Sequence, residues 1–365
     1  MSTHSIKSIQ ALRGIAACIV VLFHYKWAVN IDLGNPFVSA LFNSGGLGVT
    51  IFFILSGFVM IYSSRNKSSA INFAINRFSR IYPAYLFFIL LCFAIDGAMS
   101  TFHYADKTTS FVRSFFFLPS ITDDAPAYIN VNNASGVRWT LNYEMYFYLL
   151  MSLSFIFRKK IAALFSLFFI ALVAMPAISG FYPGVDIHGY PYSSELIGFA
   201  TNPIMYEFLL GIAIALLYIK FENRLNRLLS VLFFVCSVLV VGYYSLFNGY
   251  NDHGLKSSAL FMAILFMAIV FNREWLDKAT PKVLYYLGEI SFSVYLLHNP
   301  MMSITRKYIY NTDKGWHVFF TALILTFIVS HLSHKYFEVK ASKALRNFLM
   351  SKIGRKEQSL STISH

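Results

Sequence analysis

The sequence predicts an all-α, polytopic integral membrane protein. About ten transmembrane helices surround a polar central cavity, with the N- and C-termini cytoplasmic. Three observations predict it: 57% of the 365 residues are hydrophobic and only 13% charged, apolar runs of spanning length recur along the whole chain, and basic residues fall in alternate connections. A soluble domain of this size would not cover so much apolar surface. About 20 apolar residues, rising ~1.5 Å each, cross a hydrocarbon core of ~30 Å.

The runs lie at roughly 9–29, 45–64, 81–102, 139–157, 161–182, 199–219, 228–247, 256–272, 284–309 and 316–336. The first has no clear cleavage site and is too long for a signal-peptide core, so it reads as a retained helix. With a cytoplasmic N-terminus, the inner side collects Lys7 and Arg13; Arg65, Lys67, Arg77 and Arg80; the Arg158-Lys159-Lys160 run; Lys220, Arg224 and Arg227; Arg273, Lys278 and Lys282; and Lys335, Lys340, Lys343, Arg346, Lys352, Arg355 and Lys356. That is 22 of the 30 basic residues, the bias expected of cytoplasmic loops. An omitted or invented helix would invert the later loops and destroy it. The formal charge of +13 therefore reads as topology and contact with lipid, not nucleic acid.

Trp27, Trp139 and Trp316 fall at predicted outer helix ends, where an amphipathic ring prefers the interface. Cys18, Cys92 and Cys236 lie inside apolar runs, which predicts buried thiols and no disulfide framework. The longest outer connection, about 103–138, holds Asp123, Asp124, Pro126 and an apolar patch from Phe111 to Pro119 that is too short to span. Loops of this length are often functional. Residues 1–340 read as one transmembrane domain, and 341–365 as a basic, disordered, lipid-facing tail on the cytoplasmic side.

Ionisable groups within spans are expensive and ask for a purpose. Arg13 and His24 share the first helix, eleven positions and about 16 Å apart. Counting from helix ends puts His24, Glu144, Glu207 and His298 in one layer of the outer half, which a shared polar cavity would explain. Each also has a plain structural reading, as a hydrogen-bonding or helix-breaking group between helices. Ser56 and Trp139 are candidate cavity residues, and Ser56, like Cys18, reads as a packing group and not as a nucleophile. His331 and His334 lie three apart with no acidic or Cys partner, so no metal site is expected. Arg77 and Arg80, one turn apart in RFSRIYPAY, suit polyphosphate because planar guanidinium donors match phosphate oxygens. As a bland alternative they anchor the cytoplasmic side.

These residues resemble the membrane acyltransferase family 3. The resemblance is carried by LRGIAACIVVLFH with its Arg13–His24 spacing, GVTIFFILSGF at 48–58, RFSRIYP, RWTLNYEMYFY at 138–148, EFLLGI around Glu207, LGEISFSVYLLHNP around His298, and KYFEVK around Glu338. It runs through nearly the whole chain in order. Thr50 departs from the acidic or polar group of many relatives and receives no role. Nothing in the 365 residues resembles the soluble esterase-like domain of some members, which removes one possible acyl relay.

The resemblance implies transfer of an acyl group, usually acetyl from acetyl-CoA, to a hydroxyl of a cell-surface or exported glycan. O-antigen, exopolysaccharide and lipo-oligosaccharide are such acceptors, and the setting is a bacterial plasma (inner) membrane. Acyl-CoA is then a co-substrate, with Arg77 and Arg80 holding its phosphates, Arg13 holding it further up, and the thioester presented to His24. His24 acts as general base with Glu144 orienting or stabilising its imidazole, or else it carries the acyl group itself. Two other classes compete: a proton-coupled secondary transporter and a lipid-linked sugar flippase. The sequence lacks the matched, inverted halves usual in transporters.

Overall fold

The computed structural model describes residues 6–29, 34–64, 69–97, 100–119, 135–222, 226–247, 249, 251–312 and 314–363. The described residues fold as helices and their connections. The chain runs α1 (Lys7–Tyr25), α2 (Pro36–Asn43), α3 (Gly45–Ser64), α4 (Ala70–Cys92), α5 (Ala105–Ser114), α6 (Arg138–Ser154), α7 (Lys160–Phe169), α8 (Met175–Ile178) and α9 (Glu195–Ala200). It continues through α10 (Tyr206–Phe221), α11 (Arg227–Phe247), α12 (Ala259–Phe271), α13 (Arg273–Ala279), α14 (Lys282–Ile304), α15 (Trp316–Ser333) and α16 (Ser342–Ile363). Helices suit a bilayer because they satisfy their own backbone hydrogen bonds where no water can.

Each of the ten predicted segments contains a helix, but among the described residues fewer than ten are long and apolar enough to cross a membrane. Seven stretches are: Lys7–Ala28, Gly45–Ser64, Ala70–Ile95, Lys160–Ile178, Glu195–Phe221, Arg227–Phe247 and Trp316–Ile353. An eighth follows if α12 and α13, bent by 83°, count as one span. The other two predicted spans are α6 and α14. The first has only 17 residues and begins on Arg138, and the second carries Glu289, Ser291, Ser293, His298 and Asn299 along 23 residues. Their polar load, which makes them poor spans by composition, is what brings them to the middle of the bundle.

Helix α3 sits at the centre, buried along most of its length. It crosses α10 at Gly57 and Gly211, where backbone meets backbone. A β-carbon on Gly57 would strike Phe208 O, and one on Gly211 would strike Ile54 O. A second close crossing joins α1 and α14: a β-carbon on Gly14 would come within 2.8 Å of the Gly288 amide nitrogen, and one on Gly288 would strike Gln10 O. Small residues allow such approaches, and van der Waals packing then holds the helices together in lipid.

Three further expectations change. Helix α4 begins at Ala70, capped by the Ser69 hydroxyl on Asn72 N–H, so Arg77 and Arg80 lie inside a helix and not in a connection. The C-terminal stretch is not a disordered tail through Ile363: it continues as α16 against α4, with Ser342 Oγ donating to Arg80 O (3.4 Å) and Arg346 Nε to Asn76 Oδ1 (2.6 Å). Cys92 is buried, but Cys236 is exposed on α11, because that helix turns most of its surface outward.

Trp27 and Trp316 are exposed, as an interfacial ring would be, whereas Trp139 is buried at 7% exposure against Phe53, Tyr143 and His253. The apolar patch at 111–119 folds inward from the end of α5: Phe111 stacks on Phe93, and Phe117, in left-handed backbone at φ 56°, stacks on Tyr85 at 4.2 Å. Asp123, Asp124 and Pro126 lie outside the described residues.

Candidate active site

One face from each of six helices encloses a cavity of about 710 Å³. Helical periodicity selects the lining. Gln10 and Arg13 project from α1, Phe52, Ser56, Val59 and Ser63 from α3, Arg77, Arg80 and Ile81 from α4, Leu141, Glu144 and Tyr148 from α6, and Phe292 and Tyr295 from α14. Arg273, at the start of α13, completes the set. Residues three and four apart share a face, so each helix contributes a short polar or aromatic row.

The cavity holds an excess of cations. Arg13 Nη1 donates to Gln10 Oε1 at 3.0 Å, and Arg77 lies over the Phe73 ring at 5.6 Å. Neither these two nor Arg80 forms an ion pair among the described residues. The Nε of Arg77 is buried without a hydrogen-bond partner. Arg273 differs, since Glu222 and the Tyr62 hydroxyl already hold it at 2.5 and 3.2 Å. Glu144 is the cavity's carboxylate, and its Oε1 accepts from Ser56 Oγ at 3.0 Å and from the Tyr148 hydroxyl. Three guanidiniums with spare donors line one cavity, and planar donors of this kind suit phosphate oxygens.

His24 lies elsewhere. From the Gly14–Gly288 crossing, α1 and α14 run on together for ten residues each, to His24 and to His298. The two rings meet there with centroids 4.8 Å apart. His24 Nδ1 donates to Val20 O at 3.0 Å, so a backbone carbonyl sets its tautomer and Nε2 is left as the basic nitrogen. Tyr295, one turn before His298, connects this pair to the cavity: its ring lies 5.9 Å from His298, and its hydroxyl meets Thr140 Oγ1 at 2.9 Å.

Glu207 occupies a third place. It is fully buried, and its Oε1 accepts from Thr50 Oγ1 (3.0 Å) and from the Gly254 amide (2.6 Å), anchoring the 251–258 connection. In that connection His253 is tucked against Trp139 and pairs with Asp252 at 2.9 Å. Burial alone would lower the His253 pKa, but the Asp252 carboxylate outweighs it and holds the imidazole above its ordinary range.

A family model described as an acyltransferase domain matches residues 6–334. The chain belongs to this acyltransferase family. Among its relatives is the exopolysaccharide production protein ExoZ of Rhizobium meliloti, 26% identical over 274 residues that make up 73% of this chain and 79% of that protein. The O-acetyltransferase OatA of Staphylococcus aureus is 21% identical over 372 residues, covering 94% of this chain and 58% of OatA. The chain therefore spans a little over half of that relative's length. No solved structure matches it.

The fold places the titratable groups expected to share one cavity in three separate places. Arg13, Arg77, Arg80, Glu144 and Ser56 line one cavity. His24 and His298 form a pair further along α1. Glu207 and Trp139 belong to the loop-anchoring cluster. Glu144 does not touch His24; its partners are Ser56 and Tyr148, so the expected carboxylate–imidazole contact is replaced by Val20 O on one side and His298 on the other. A shared cavity did not follow from similar depth, because a count from helix ends does not give which way each helix faces.

Several residues escaped the sequence reading. Tyr148 lies one turn after Glu144, and i, i+4 spacing could have marked it. Thr50, left without a role, is the donor that holds Glu207. Glu338 sits one turn beyond His334, at 3.5 Å, and also accepts from the Ser293 hydroxyl; His334 thus has the acidic partner it was thought to lack. Among the described residues, no three His, Cys, Asp or Glu side chains gather as metal ligands would.

Proposed function

We propose that the protein is a membrane O-acetyltransferase that moves acetyl from acetyl-CoA to a hydroxyl of a cell-surface or exported glycan, in a bacterial plasma membrane. The observation that carries this reading is the cavity where Arg13, Arg77 and Arg80 converge unpaired, with the buried Nε of Arg77 lacking a partner. Anionic donor phosphates supply the missing partner. The cavity end of the bundle faces the cytoplasm, where acyl-CoA is made, and both termini lie on that side. Basic α16 then lies near the anionic headgroups of the same leaflet.

From Arg13 to His24 is about 16 Å along α1, so one helix carries both the donor's anionic end and the reacting end. His24 Nε2 takes the proton of the acceptor hydroxyl as its oxygen attacks the thioester carbon. Glu144, bonded to Ser56 and Tyr148, stays on the donor side, where it keeps one negative charge among the arginines.

The test is transfer of labelled acetyl from acetyl-CoA to glycan in membranes containing the protein. Label should appear with the native chain and fall at least about 100-fold with His24→Ala, the usual scale for losing a general base. Transport or flipping of glycan with no dependence on acetyl-CoA would overturn the reading. Undiminished transfer by His24→Ala would remove His24 from the chemistry.

A further inference from the structure

His298 is fully buried, and its Nε2 has no hydrogen-bond partner. Such orphans are rare enough in folded proteins to need a physical account. The Nδ1 of the same ring lies 3.3 Å from Val294 O. A carbonyl oxygen only accepts, so Nδ1 carries the proton and Nε2 keeps its lone pair. His24 has the same arrangement, with Nδ1 on Val20 O. The rings meet with centroids 4.8 Å apart, and together they offer two acceptors and no donor. One added proton completes the pair.

Packing alone does not call for an imidazole at this position. Helix α14 is tied to its neighbours here through the backbone: the Tyr25 hydroxyl donates to His298 O at 2.7 Å and meets Thr326 Oγ1 at 2.7 Å. Any residue at 298 would supply that carbonyl. The other titratable groups around the pair are Tyr25 and Tyr295, with rings 6.3 and 5.9 Å from His298, and Lys26, whose charge reaches His24. Among the described residues no carboxylate touches either ring, and the place an aspartate takes in a hydrolase triad, on the Nδ1 proton, is held in His24 by Val20 O.

We propose that His298 is a positioning residue for His24, its Nε2 accepting a hydrogen bond from the imidazolium that forms when His24 takes the acceptor's proton. The inference deepens the general-base reading of His24 and rests on it. In the step, the acceptor oxygen bonds to the acyl carbon, and the C–S bond breaks with its electron pair on sulfur. The hydroxyl proton passes to His24 Nε2, is shared there in a three-centre hydrogen bond between His298 Nε2 and the reacting atoms, and then goes to the sulfur to give the free CoA thiol. His298 keeps the proton within the pair during the interval when it has left oxygen and not yet reached sulfur.

The experiment uses the full chain in membranes, with labelled acetyl-CoA and the glycan those membranes carry. His298→Ala should lower kcat about 100-fold while KM for acetyl-CoA stays within about two-fold. It should also move the acidic limb of the kcat–pH profile to lower pH, because His24 loses an acceptor that favours its protonated form. His298→Gln, whose Oε1 can accept near the place of Nε2, should recover at least about ten-fold over Ala. A His298→Ala protein that keeps its kcat would overturn the proposal. So would a loss of rate with the pH limb unmoved and no recovery by Gln, the pattern of a packing role. If Ala does not fold, the Gln variant is decisive: a native pH limb supports the proposal, and a shifted limb with the Ala-scale loss of rate expected above sinks it. Failure of the parent reading is separate, because the native protein would then show no dependence on acetyl-CoA.

Discussion

At the scale of single residues, the arginines and the histidines do different work although two of them share α1. Guanidiniums remain charged at any physiological pH, so Arg13, Arg77 and Arg80 are fixed cations that need an anion. A neutral imidazole keeps one nitrogen with a lone pair, so His24 can take a proton and His298 can accept a hydrogen bond from it. Removing a fixed cation should weaken binding of the donor more than the chemistry that follows. Arg77→Ala combined with Arg80→Ala should raise KM for acetyl-CoA at least ten-fold, since each charge-assisted hydrogen bond is worth about 1.5–3 kcal/mol, and leave kcat within about three-fold. Steady-state kinetics at varied donor would show it, and an unchanged KM would return both residues to a purely topological role. The Arg13–His24 and Arg77–Arg80 spacings could be read from the sequence because their meaning lies within one helix. The approach of His24 to His298 could not, because it depends on how two distant helices are rotated about their axes.

Individual helices show why rotation was hidden. Hydrophobic runs gave every segment, but a run of apolar residues says little about which face meets which neighbour. Helix α3 is buried nearly all round, so its sequence carries no amphipathic stripe. Its orientation is set by glycines: Gly57 and Gly211 lie where α3 and α10 come into backbone contact. Gly211→Ala should force the two helices apart at a cost of about 1–3 kcal/mol, seen as a lowered midpoint in thermal unfolding of the purified protein. A midpoint equal to the native one would mean the crossing is looser than the structure describes. The start of α4 was misjudged for a related reason. RFSRIYP reads as a connection because of its charges and Pro83, yet the chain is helical from Ala70 and carries Pro83 inside the helix.

For the whole molecule, charge bias gave an orientation without giving the number of spans. Among the described residues seven or eight helices are long and apolar enough to cross, while α6 and α14 are too short or too polar to be recognised in that way. They are drawn inward by what made them ambiguous, namely Glu144 on one and His298 on the other. The orientation makes a direct prediction. A cysteine introduced at Lys352, on α16, should react with a membrane-impermeant maleimide only after cells are opened, whereas one at Tyr182, exposed between α8 and α9, should react in intact cells. The reverse pattern would invert the topology and place the arginine cavity on the wrong side for acyl-CoA.

The partnership of α1 with α14 also sets an order of events during synthesis. Tyr25 and His298, which hydrogen-bond to each other, are separated by 273 residues. At roughly 5–20 residues per second, the first helix leaves the ribosome some tens of seconds before its partner exists. Over that interval the nascent chain has an arginine-bearing first helix but no second imidazole, and no Gly288 for Gly14 to pack on. Chains truncated before α14 should therefore insert in the membrane yet transfer no acetyl, and donor-dependent activity should appear only when α14 has been made. The histidine pair is among the last parts of the protein to come together.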